Sequence, residues 1–165
     1  MHRDGPLPRA IELGSISKVL DVGAGTLVWT LDVAGLPEVK SRILPIVSDS
    51  SSVHLYATDI TDEMFPPSHE LEALGITTFV HDLTTPFPQD LHGTFDLVHM
   101  RLVCSALSME GWRKSLKHNY SVLSMFDLCP LLPADHSVFR ARGCPHYLGL
   151  RQYLVSRNHT AHRRI

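Results

Sequence analysis

Short runs of apolar residues, closed in turn by acids, glycines and prolines, pattern the first 123 positions of the chain. Val19, Leu20 and Val22, running into Gly23, predict a strand over 18–22 that is covered on both faces, as parallel strands are. Gly23 and Gly25 allow the backbone angles of a tight turn and a close approach by a ligand. The segment 26–34 reads as the following helix, its first N–H groups facing that turn. Gly35-Leu36-Pro37 marks a stop, and 38–52 reads mainly as a connection. Val53 to Thr58 predicts a second strand ending at Asp59. Pro66-Pro67 makes a turn, Ser68 is placed to cap a helix over 69–74, and Gly75 ends it. Ile76 to Val80 predicts a third strand, followed by His81-Asp82-Leu83. Pro86 and Pro88 mark a loop before a fourth strand over 95–100. A last helix is expected over 110–123, with Leu116, Tyr120 and Leu123 repeating on one face. Strands alternating with helices imply an α/β fold built on a doubly wound, mostly parallel sheet, of which strands one to four are recognisable.

Beyond residue 124 the pattern changes. Every positive side chain after Lys117 is an arginine (Arg140, Arg142, Arg151, Arg157, Arg163, Arg164), and Asp135 is the only acid after Asp127. Pro130, Pro133 and Pro145 interrupt any longer periodic run. The chain therefore divides into an N-terminal extension (1–17), an α/β domain (18–123) and an irregular, arginine-rich tail (124–165). Its 165 residues leave room for one domain with an ordinary core. A formal net charge of −2 gives no general attraction to nucleic acid or to anionic membranes, and neither is expected as a partner. Three cysteines are too few for a disulfide framework, and no apolar run has the length of a membrane span. The expected setting is the cytoplasm.

In a doubly wound sheet, ligands bind beyond the carboxyl ends of the strands. Asp21, Asp59, Asp82 and Asp96 fall at or near such ends or within such strands. A carboxylate at the end of strand two, Asp59, suits both hydroxyls of a ribose; the plain alternative is a solvated turn aspartate. Asp82 with Leu83 would flank an adenine, the alternative being an Asx-turn before the Pro86 loop. Asp21 is placed to orient the glycine turn or to meet a cationic ligand group. Asp96 reads as structural.

Taken together, Val19-Leu-Asp-Val-Gly-Ala-Gly-Thr26 with Trp29, Tyr56-Ala-Thr-Asp-Ile60, Met64-Phe-Pro66, Phe79-Val-His-Asp-Leu83, Phe95-Asp-Leu-Val-His-Met-Arg101, Gly111-Trp-Arg-Lys114 and Tyr120-Ser-Val-Leu123 resemble the class I S-adenosylmethionine-dependent methyltransferases. More narrowly, the pattern is similar to fungal, LaeA-like methyltransferases of secondary metabolism. The resemblance covers about residues 18–123. It implies a Rossmann-like fold, S-adenosylmethionine as cofactor and a small-molecule methyl acceptor. It places Asp21, Gly23, Ala24 and Gly25 along the methionine part of the cofactor, and Asp59 and Ile60 on the ribose and adenine. Asp82 and Leu83 would meet the adenine edge, and His99 would border the cofactor at the end of strand four. No residue is assigned as catalytic and no metal is implied; His99 and His118 are the imidazoles in the later part of the domain.

The chain departs from that family at several points. Leu27 stands where a third glycine is usual. Asp59 follows Asp21 by 38 positions, against about 20 in the ordinary unit, so the excess should loop out within 38–52. The helices that commonly precede strand one are not expected within 1–17, and no strands five to seven are recognisable; a shifted reading frame or retained intron would produce such a tail. A sheet ending at strand four would expose that strand's edge, a route to association with another chain. The alternative is therefore a truncated, non-catalytic fragment or interaction protein. A nicotinamide dehydrogenase would need glycine where Val28 stands. A zinc site from Cys129, Cys144, His146, His159 and His162 lacks a C-x-x-C pair.

Overall fold

The computed structural model describes residues 6–7, 14, 16–43, 52–101, 103 and 106–124, and the backbone of 151–155. Strand β1 (Lys18–Val22) is the centre of the sheet, and its four positions after Lys18 are all buried. β2 (His54–Asp59) pairs with it in parallel on one side and β4 (Leu97–Arg101) on the other. β3 (Ile76–Val80) adds beyond β2, also in parallel. A continuous apolar strand such as β1 is stable only with both faces covered, and two clusters provide that cover. Leu27, Trp29, Val33, Val39 and Leu71 pack on one face; Leu83, Phe87, Phe95, Val103 and Val122 pack on the other.

A fifth strand completes the order β3-β2-β1-β4-β5. β5 (Arg151–Val155) runs antiparallel to β4, with Leu97 opposite Val155 and Arg101 opposite Arg151. It lies inside the segment expected to be irregular, and it fills the edge of β4 expected to be open. β3 and β5 are the edge strands. An antiparallel partner at the rim of a parallel sheet is common in this architecture.

Helix α1 (Val28–Ala34) begins two residues later than expected, after Leu27. The expected connection over 38–52 instead opens with helix α2 (Pro37–Ile43), because Pro37 starts a helix rather than only ending one: its fixed φ suits the first helical position and its missing N–H has no partner to lose there. Residues 44–51 lie outside the described residues, so the looped-out excess is located only in part. In α3 (Ser68–Ala73) Pro67 is the capping position and Ser68 the first helical residue, so Ser68 makes no cap bond. Gly75 follows α3 at φ 64°.

α4 (Met109–Val122) is capped by Ser108, whose Oγ accepts from the Gly111 amide. Its buried line is Gly111, Ser115, Asn119 and Val122, and of the expected face Leu116 packs half-buried against the same core. Tyr120 is exposed and Leu123 is buried just past the helix end. The small and polar residues let α4 approach β4 closely; the Ser115 hydroxyl and the Asn119 amide both point to Met100 Sδ, at 3.7 and 3.6 Å. Asp96, just ahead of β4, fastens the amino ends of β1 and β4. Its Oδ2 accepts from the Ser17 and Lys18 amides and the Ser17 hydroxyl, and its Oδ1 from Ser124 Oγ. The structural reading of Asp96 holds. Among the described residues no helix is long and apolar enough to cross a membrane.

Candidate functional site

The chain order β1, β2, β3 moves outward on one side of the sheet and then crosses back to β4 on the other. The carboxyl ends of β1 and β4 therefore splay around a crevice, the usual ligand position in such sheets. A cavity of about 550 Å³ opens there, within the size range of small-molecule pockets.

The glycine turn forms its floor. Gly23 and Ala24 both donate their amides to the Thr58 carbonyl, at 2.9 and 3.0 Å, which fastens the turn to the end of β2. Gly23 has φ 68° and Gly25 φ 55°, angles that residues with a Cβ seldom adopt. At Gly23 a Cβ would also sit 2.8 Å from Val103 Cγ2, whereas at Gly25 it would meet nothing within 4 Å. Gly25 thus keeps its backbone open towards the cavity. Leu27, in place of a third glycine, takes a left-handed conformation itself, at φ 60° and ψ 16°, with its side chain fully buried.

Asp59, at the end of β2, turns towards this loop. Its Oδ2 accepts from the Gly25 amide and its Oδ1 from the Ile60 amide, both at 2.7 Å. A carboxylate offers about four acceptor sites, so one remains on each oxygen. Beside it Ile60 is 67% exposed, an apolar surface on the cavity wall. Asp82 makes the Asx-turn: its Oδ1 accepts from the Thr84 amide and hydroxyl, both at 2.8 Å. The Thr84 amide, then the Thr84 hydroxyl, hold its carboxyl below the usual range. Asp82 Oδ2 takes no hydrogen bond among the described residues. Leu83 is buried behind it. Burial lowers the neighbouring His81 below the ordinary imidazole value, and its ring stacks on Phe87 at 4.1 Å.

Asp21 and His99 are register partners on adjacent strands, and both are buried. Asp21 Oδ1 lies 2.7 Å from His99 Nδ1, and Oδ2 accepts the Thr30 hydroxyl at 2.6 Å. A carboxylate there can only accept, so the imidazole donates through Nδ1. The far side of the ring lies against the Trp29 indole, with centroids 3.8 Å apart and planes 11° from parallel. Trp29 in turn donates Nε1–H to the Pro6 carbonyl at 2.9 Å. Asp21 thus holds His99 and α1 rather than the turn.

All nine residues singled out from the sequence, Asp21, Gly23, Ala24, Gly25, Asp59, Ile60, Asp82, Leu83 and His99, line this one cavity. His118 does not; it lies on α4, with its imidazole lowered by burial and by Lys117. Thr26, Val28, Trp29, Arg101, Val103, Ala106 and Leu107 complete the lining and were missed. Arg101 carried a signal: it stands two residues after His99, hence on the same face of β4. The other late residues sit in a loop with no periodic pattern. The residues of the considered zinc site lie outside the described residues, and no group of three metal-ligating side chains occurs among those described.

No family model matches the chain. Over 99 residues it is 32% identical to methyltransferase grgD of a Penicillium species, a stretch covering 59% of this chain and 32% of that protein. Over 94 residues it is 33% identical to methyltransferase psoC of Aspergillus fumigatus, covering 57% of this chain and 29% of the relative. The matched stretch thus spans about a third of these relatives. Among solved structures, the CMeT domain of the citrinin polyketide synthase superposes with a TM-score of 0.50 at 16% identity, over 67% of this chain and 27% of that one. That likeness shows a shared Rossmann-like α/β fold.

Proposed function

We propose that this chain, a relative of fungal methyltransferases with their fold, binds S-adenosylmethionine in the cavity and serves methyl transfer to a small molecule of secondary metabolism. The observation that carries the reading is Asp59 bridging β2 and the glycine turn while keeping one acceptor site on each oxygen. A ribose diol needs two such acceptors side by side. Ile60 offers the exposed apolar surface that a purine would cover, and Asp82 Oδ2 with the Leu83 backbone would meet its edge. Gly23 and Gly25, with only the Ala24 methyl between them, give the methionine chain an open backbone surface, and the Asp21–His99 pair backs it. When bound, the cofactor supplies an electrophilic methyl group on a sulfonium.

The protein's share of such a reaction is alignment and exclusion of water. Val103, Ala106 and Leu107 give the wall by β4 an apolar character suited to an organic acceptor. A general base helps this chemistry without being required.

Calorimetric titration of the full chain with S-adenosylmethionine tests the reading. Micromolar binding that Asp59→Ala weakens about tenfold or more is expected, since a charge-assisted hydrogen bond is worth that much. A folded chain that binds no cofactor overturns it. Binding without methyl transfer to any supplied acceptor would assign the chain to the non-catalytic alternative.

A further inference from the structure

Three carboxylates line the cavity, and each is held by groups other than Arg101: Asp21 by Thr30 and His99, Asp59 by two main-chain amides, Asp82 through Oδ1 by Thr84. Arg101 lines the same cavity from the end of β4 and is permanently charged. Among the described residues no acid lies within ion-pair distance of it. Its Nε is buried and makes no hydrogen bond. A buried guanidinium N–H with no acceptor is expensive, and such a group persists where a ligand supplies the acceptor.

Position narrows the chemistry. β2 and β4 flank β1, so their ends stand about 10 Å apart across the glycine turn. Asp59 and Arg101 thus line the cavity from strands on either side of β1, one accepting and one donating. The walls near Arg101 are apolar, through Val103, Ala106 and Leu107, which strengthens a charge–charge contact there. The geometry points to Arg101 as a carboxylate anchor: its planar fork receives a carboxylate at the β4 side of the cavity. That carboxylate belongs either to the amino-acid end of the cofactor or to the methyl acceptor. The assignment deepens the proposed function and rests on it only for the first source.

The test uses the full chain labelled with ¹⁵N-arginine, together with Arg101→Lys and Arg101→Gln. The Arg101 Nε resonance is identified by its absence from both variants. S-adenosylhomocysteine carries the amino-acid carboxylate, and 5′-methylthioadenosine lacks it. If the cofactor supplies the group, S-adenosylhomocysteine shifts the Nε resonance and 5′-methylthioadenosine does not. Arg101→Gln then weakens the former by about tenfold or more and leaves the latter unchanged. If the acceptor supplies it, both nucleosides bind the variants normally, and benzoate, not benzamide, shifts the Nε resonance of the S-adenosylhomocysteine complex. Arg101→Lys, which keeps the charge and loses the fork, is expected to retain part of either effect. The anchor is overturned if no carboxylate probe moves the Nε resonance, or if Arg101→Gln weakens both nucleosides equally. Should neither nucleoside bind the wild-type chain, the cofactor reading fails on its own, and benzoate still decides the role of Arg101.

Discussion

The imidazole of His99 lies flat on the indole of Trp29, 3.8 Å between centroids, while its Nδ1 reaches Asp21 at 2.7 Å. One side chain therefore joins β4 to both β1 and α1 directly beneath the cavity. Because Asp21 is buried with both oxygens engaged, removing it leaves the Thr30 hydroxyl and the His99 N–H without their acceptor. Leaving a buried donor without its acceptor costs about 1–3 kcal/mol. Asp21→Ala is expected to lower the urea midpoint by a corresponding amount. A change under about 0.5 kcal/mol would remove the network as a structural element.

Much of this fold was readable because local chemistry and global role agreed. β1, β2, β3 and β4 are apolar runs ended by a glycine, an aspartate or a basic residue, and tertiary contacts had nothing to override. α2 was hidden because Pro37 is both a stop for one helix and a start for the next, and only Val39 of its residues is buried. The face of α4 was legible only in part because hydrophobic periodicity marks large side chains such as Leu116, whereas Gly111, Ser115 and Asn119 also face the sheet. β5 begins with arginine and glutamine and pairs with β4, a contact 50 to 58 positions away that no local pattern encodes. In the site, each residue could be placed at its strand end, but not its partner. Asp21 and His99 are 78 positions apart, and only the register of β1 and β4 makes them neighbours.

The two turn glycines separate stability from binding. Alanine at position 23 meets both a positive φ and a Cβ contact of 2.8 Å with the buried Val103. Gly23→Ala is expected to destabilise by about 2–4 kcal/mol, backbone strain and overpacking adding. Gly25→Ala meets only the strain, about 1–2 kcal/mol, and projects its methyl where nothing lies within 4 Å. It should lose less stability than Gly23→Ala but bind S-adenosylhomocysteine more weakly, by about tenfold. Thermal unfolding and calorimetry on both variants check this; equal losses of stability would refute the distinction.

Asp96 predicts an acid-sensitive clasp. Burial alone would raise its carboxyl, but the Ser17 amide, the Ser17 hydroxyl, the Lys18 amide and the Ser124 hydroxyl together hold it below the ordinary value. Its folded pKa is thus depressed, so on acidification the unfolded chain takes up the proton first. The stabilisation is fully present above the unfolded value of about 3.9 and is lost as pH falls through the lower folded value. Asp96→Asn keeps the shape and an acceptor while removing the charge. The variant should be less stable by about 1 kcal/mol at pH 7, and the gap should close as pH falls below the unfolded value and through the lower folded one. A gap that does not change on acidification while the protein stays folded would contradict the assignment.

Leu27 offers a test of sign rather than size. It holds a left-handed backbone at φ 60°, which costs a residue with a Cβ about 1–2 kcal/mol, yet its side chain is completely buried among Val33, Leu55 and their neighbours. Truncating a buried leucine to alanine costs about 2–5 kcal/mol, so the packing outweighs the strain and explains why leucine is tolerated where glycine would be easier. Leu27→Ala loses the packing and keeps the strain. Leu27→Gly loses slightly more packing but sheds the strain altogether. Both variants should therefore be less stable than wild type, with the glycine variant the more stable of the two by about 1 kcal/mol. In ordinary helical positions the order is reversed, alanine exceeding glycine. Urea unfolding of the two variants side by side reads the sign directly, and an alanine variant as stable as the glycine one would mean that residue 27 is not left-handed in solution.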